Sequence, residues 1–76
     1  MAAKLRFEYD READILYITK RPAYAEQRSE ELGDDVVARL NPATAAIEGL
    51  EILFFSVRLG QGGIELPVDA EMKRTG

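Results

Sequence analysis

The segment Ala46-Ile47-Glu48-Gly49-Leu50-Glu51-Ile52-Leu53-Phe54-Phe55 reads as a strand with apolar side chains at successive positions. Neighbouring residues of a strand point to opposite sides of a sheet, so this segment belongs in the middle of one, with something packed on each side. Ile15-Leu16-Tyr17-Ile18-Thr19 has the same character. A 76-residue chain has little material with which to cover two such strands, since a domain of this size removes only about 60% of its unfolded surface from water. There is no cysteine to supply a disulfide or a thiolate metal site, which also fits a reducing, cytoplasmic setting. Oligomerisation is the common remedy that remains.

Leu5-x-Phe7-x-Tyr9 alternates strictly with Lys4, Arg6 and Glu8, the pattern of a half-buried strand. Asp10 to Asp14 is a polar turn in which Asp10 can bond the backbone two residues on. The first two strands therefore form a hairpin. Glu26 to Leu32 has helical propensity but a single strong apolar anchor, and reads as an exposed edge strand. Gly33-Asp34-Asp35 signals a turn before the strand Val36 to Leu40, and Asn41-Pro42-Ala43-Thr44-Ala45 a tight connection after it. Ser56 to Leu59 predicts a short helix that stops at Gly60, with Ser56 as its cap. Ile64-x-Leu66-x-Val68 alternates like a strand that Pro67 confines to an edge. The expected fold is α+β: a small antiparallel sheet of four strands, with a candidate fifth at the C-terminus, and one short helix. Residues 1–59 form one β-rich domain, and residues 60–76 a glycine-rich hinge and C-terminal extension.

Two motifs in this order carry a family resemblance. Tyr9-Asp10-Arg11-Glu12-Ala13-Asp14-Ile15-Leu16-Tyr17-Ile18, followed by Ile47-Glu48-Gly49-Leu50-Glu51-Ile52-Leu53-x-x-Ser56, resembles the small bacterial and archaeal family catalogued as domain of unknown function 2283. The resemblance runs from about Leu5 to Leu59. It implies a small antiparallel sheet with a short helix and assigns no activity. Some relatives are encoded beside small toxin-like proteins, which implies an antitoxin-like role. The chain departs from the family pattern in having Arg11 in place of a proline, no glycine in the turn from Asn41 to Ala45, and Phe54 where the family often has an acid.

Charge narrows the partners. Glu26, Glu30, Glu31, Asp34 and Asp35 face Arg28 alone within ten residues, a local charge of −4 that equals the net charge of the whole chain. A neutral body with one acidic strip is unsuited to nucleic acid, whose affinity comes from Lys and Arg displacing counterions. Such a strip attracts a basic protein partner, or else is a solvated edge. No apolar run approaches the ~20 residues of a membrane span, so no membrane association is expected.

Histidine and cysteine are both absent, which removes the commonest general base, the thiolate nucleophile and the usual transition-metal ligands. Ser29 and Ser56 have no spacing that pairs them with Lys4, Lys20 or Lys73. Asp10-x-Glu12-x-Asp14 opens like a calcium loop, but Ile15 and Arg21 stand where the loop needs glycine and glutamate. Gly60-x-Gly62-Gly63 lacks the third glycine of a dinucleotide loop, having Glu65 there. No catalytic residue, metal ligand or cofactor is expected, and the chain reads as a non-enzymatic protein. Glu51 shares a strand face with Ile47, Gly49, Leu53 and Phe55, where a lone carboxylate would be costly. A structural ion pair with Arg39 is the leading account, with an interface contact or catalysis as the alternatives.

One short helix can cover a single side of this sheet. Leu16, Ile18, Leu50, Ile52, Phe54 and Phe55 are therefore the candidate interface, with a second copy packed sheet on sheet as the simplest cover. The function expected is a protein-binding domain, in one concrete form an antitoxin-like partner of a small basic protein. A self-assembling homodimeric module is the alternative, and a small carboxylate-based enzyme or ligand binder is a third reading.

Overall fold

The computed structural model describes residues 4–75. Five strands, β1 (Arg6–Asp10), β2 (Ile15–Thr19), β3 (Arg28–Gly33), β4 (Val36–Leu40) and β5 (Ile47–Leu53), precede the one helix, α1 (Phe55–Gly60). They make a single antiparallel sheet in the order β1-β2-β5-β4-β3. The doubly apolar strands β2 and β5 are adjacent and central, as their side-chain pattern requires. The fifth strand is β3, the segment whose sequence was ambiguous, and it holds an edge. Among the described residues the C-terminal segment forms no strand, so the candidate fifth strand around Ile64 to Val68 is not one.

Register sorts the side chains. Ile18 lies opposite Leu50 and Leu50 opposite Ala38, while Leu16, Ile52 and Val36 line up in the same way. These residues share one face, and on it lie the buried Val36, Ala38, Leu40, Leu50 and Ile52. Leu66 and Val68 pack onto this cluster. The tail thus lies across the sheet instead of along its edge, because Pro67 has no N–H for a ladder while its two neighbours can bury side chains. On the opposite face Tyr17 lies across from Glu51 and Glu51 across from Val37, with Arg39 two residues further along β4, opposite Gly49. This half-buried face mixes those polar groups with Ile15, Val37 and Leu53, and the Arg39 guanidinium lies 5.9 Å from the Tyr17 ring centre.

The turns follow from their side chains. Asp10 Oδ1 accepts the N–H groups of Glu12 at 3.0 Å and Ala13 at 3.2 Å, and Asn41 Oδ1 accepts those of Ala43 and Thr44 at 2.9 and 3.1 Å. Asp34 and Asp35, the two-residue link between β3 and β4, both have positive φ, the requirement of a tight hairpin turn. Ala45 sits at φ 63°, where a side chain is strained. The register of β4 on β5 steps from Arg39 opposite Gly49 to Leu40 opposite Ile47, leaving Glu48 as a bulge.

Candidate functional site

The six apolar residues expected at an interface do not share one environment. Leu50 and Ile52 are buried within the chain, Leu16, Ile18 and Phe55 are half-buried, and Phe54 is exposed. Leu16, Ile18, Leu50 and Ile52 do come together on one face, where the chain's own tail covers part of them. The apolar surface left open lies at the β1 side and on the helix: Leu5, Phe7 and Tyr9, with Phe54, Val57 and Leu59. Phe54 is bulky and left-handed, at φ 54°, an uncommon state for such a residue.

The five acids lie along the far edge. Glu30 and Glu31 stand on β3 with their side chains on opposite faces, Asp34 and Asp35 form the adjoining turn, and Glu26 precedes the strand. All five are exposed. Among the described residues none of them makes an ion pair, whereas Glu8, Glu48, Glu51 and Glu71 each do. Arg28 is the single counter-charge near the row in sequence, and among the described residues no ion pair forms between them.

Two polar clusters were only partly visible in the sequence. At the closed end of the first hairpin, Asp14 accepts hydrogen bonds from Tyr9 Oη at 2.5 Å, from the Ser56 hydroxyl at 2.8 Å and from the Ser56 N–H at 2.9 Å. These bonds, the Tyr9 bond above all, hold the Asp14 carboxyl below its usual range, and the same bond pushes the Tyr9 phenol up. Ser56 is thus not the cap expected of it: the cap position is Phe54, which offers no side-chain acceptor, and Asp14 reaches over from the hairpin to fill that role. Tyr9 also packs against Phe55, ring centres 5.6 Å apart. The two family-like motifs therefore meet in space.

The second cluster centres on Glu48. Its carboxylate is buried and accepts from Tyr24 Oη at 2.5 Å, Arg21 Nη1 and Gln27 Nε2 at 3.2 Å, and Asn41 Nδ2 at 3.4 Å. Its carbonyl takes the N–H groups of Lys20 and Arg21. Hydrogen bonding from Tyr24, ahead of the other donors, keeps the carboxyl low despite burial, and Tyr24 is raised in turn. Glu48 ties the segment between β2 and β3 to the central strand. An acid between Ile47 and Gly49 in an apolar run was the available signal. The Arg39–Glu51 pair is present as expected, Nε to Oε2 at 2.8 Å, and the Arg39 stem runs beside Gly49.

An open depression of about 370 Å³ on the polar face is lined by Arg6, Glu8, Tyr17, Thr19, Pro22, Ala23 and Arg39. Both of its cations are already neutralised, Arg6 by Glu8 and Arg39 by Glu51. Among the described residues no three acids converge as ligands for a metal ion, and no helix is long and apolar enough to cross a membrane. What the surface offers is two open sheet edges of opposite chemistry, an acidic β3 and a β1 rich in exposed apolar groups.

The model of the family described as a protein of unknown function, DUF2283, matches residues 6–56 of the chain. The match takes in all five strands and ends at the serine held by Asp14. No curated protein and no solved structure matches the chain.

Proposed function

The chain belongs to the DUF2283 family, and from that membership and the surface just described we propose that it is a non-enzymatic protein-binding domain whose acidic β3 edge docks a small basic protein. The observation that carries this reading is the row of exposed carboxylates on and beside β3: among the described residues these acids make no ion pair, and the strand has no neighbour on its outer side. An edge strand presents free N–H and C=O groups to an incoming extended segment. With Glu30 on one face and Glu31 on the other, a basic segment laid along β3 meets a carboxylate on either side. Charge complementarity of this kind speeds encounter and selects the partner. In its most concrete form the role is antitoxin-like, the partner being a small basic protein encoded beside this one.

The test is co-expression with each neighbouring gene product, followed by calorimetric titration at low and high salt. Binding should weaken steeply with salt and be lost when Glu30, Glu31, Asp34 and Asp35 are changed together to Gln and Asn. Failure of any basic neighbour to bind, or binding indifferent to those four substitutions, sinks the reading. A second reading, a self-assembling module, draws on Leu5, Phe7 and Tyr9, which remain exposed beside the other edge.

A further inference from the structure

We infer that β1 is a self-pairing edge: two copies join antiparallel through residues 4–10 about a two-fold axis at Phe7, so that ten strands run in one continuous sheet. The inference rests on the self-assembly reading, gives it a place and a register, and is independent of the basic partner at β3.

Three observations converge on this edge. Among the described residues β1 pairs with β2 on one side and with nothing on the other, and every residue in it is exposed. Along it stand Leu5, Phe7 and Tyr9, which alternation places on one face, at 54%, 60% and 43% exposure. Between them the charges run Lys4, Arg6, Glu8, Asp10, positive then negative about Phe7.

A two-fold axis at Phe7 reverses that order in the partner. Lys4 then faces the partner's Asp10, Arg6 the partner's Glu8, and the reciprocal pairs repeat beyond the axis. On the other face Leu5 meets the partner's Tyr9, and Phe7 meets the partner's Phe7. Opposite charges and aromatic or apolar groups directly across an antiparallel pair are both favourable, and like charges there are unfavourable. Moving the axis to Glu8 would set Glu8 against itself, and moving it to Arg6 would set Arg6 against itself. Phe7 is thus the one centre in the strand's middle that brings no like charges together.

Arg6 already contacts Glu8 within its own strand at 2.9 Å, but both side chains are well exposed, and such a pair is exchanged for an equivalent one at little cost. The other edge is less suited. Self-pairing through β3 about Glu30 or Glu31 would set that acid against its own copy, and the axis at Ser29, which sets Arg28 opposite the partner's Glu30, brings no two apolar side chains opposite each other.

The experiment is the mass in solution, by light scattering after gel filtration at about 100 µM chain, of the wild type, of Arg6→Glu, of Glu8→Arg and of an equimolar mixture of the two variants. The wild type should run at twice its 8.5 kDa. Arg6→Glu places two acids opposite two acids and Glu8→Arg two bases opposite two bases, so each alone should dimerise more weakly by on the order of tenfold or more. Mixed, the two variants are complementary at every position and should recover a dimer containing one of each. That recovery also shows that both variants are folded. A monomeric wild type overturns the proposal. So does a dimer that neither variant weakens, which is the result a sheet-on-sheet dimer would give, and so does a mixture that stays monomeric. None of these outcomes bears on binding at β3, which the titration above decides separately.

Discussion

Asp14 holds Ser56 by both backbone and side chain, accepting its N–H at 2.9 Å and its hydroxyl at 2.8 Å, across 42 residues of chain. A carboxylate on a hairpin turn thereby caps a helix that has no cap of its own. Asp14→Ala removes the acceptor for both bonds and for Tyr9, and should lower the melting temperature by roughly 4–8 °C, the size expected for a lost cap in a domain this small. Ser56→Ala keeps the backbone bond and should cost clearly less. Thermal melts followed by circular dichroism compare the two, and equal losses would show that the hydroxyl, not the cap, matters.

Stability should form a plateau in pH with a fall at each end. Asp14 and Glu48 have their carboxyls lowered by hydrogen bonding, so their contribution is present above their unfolded values and is lost as pH falls through the folded ones. Tyr9 and Tyr24, raised by bonding to those same carboxylates, contribute below their unfolded values and lose that contribution as pH rises through the folded ones. Urea midpoints should therefore hold between about pH 5 and pH 9 and drop below about pH 4 and above about pH 10. Glu48→Gln should be less stable at neutral pH and show a shallower acid limb. An acid limb as steep as that of the wild type would remove Glu48 from the account.

Arg39 and Glu51 are the remaining partly buried ion pair. A double-mutant cycle with Arg39→Met and Glu51→Gln should give a coupling of about 0.5–1.5 kcal/mol, above the value for exposed pairs, because their side chains are 30% and 19% exposed. A cycle closing at zero would leave the two side chains as neighbours without mutual stabilisation.

Ala45 occupies the left-handed region at φ 63° in the turn between β4 and β5. Ala45→Gly relieves that strain while adding some freedom to the unfolded chain, and the first effect is the larger. A net gain of about 0.5–1 kcal/mol is expected, read as a higher denaturant midpoint with unchanged slope.

The period-2 side-chain pattern made most of the sheet legible. Phe7 and Tyr9 alternate with charged residues on β1, which lies at an edge, whereas β2 and β5, apolar at successive positions, lie inside the sheet. Glu51 announced its partner because a carboxylate among apolar residues needs one and Arg39 stood on the preceding strand. One strand, β3, was read correctly as an edge but against its own composition, and two further features were hidden, all for physical reasons. β3 has one apolar anchor, so its strand state is imposed by pairing with β4 and not by its own composition. Glu48 occupies a bulge, and a bulge shifts every side chain beyond it by one place without any mark in the sequence. Leu66 and Val68 alternate as a strand would, yet they pack without pairing, and only the missing N–H of Pro67 distinguished the two outcomes.

The place of β5 governs the order in which the fold can come together. β1 and β2 form one local hairpin and β3 and β4 another, and these two ribbons share no hydrogen-bonded boundary until residues 47–53 lie between them. Isolated two-stranded ribbons are barely stable in water. During synthesis, then, residues 1–46, about three fifths of the chain, emerge before the strand that joins the two ribbons, and the complete sheet can form only after it.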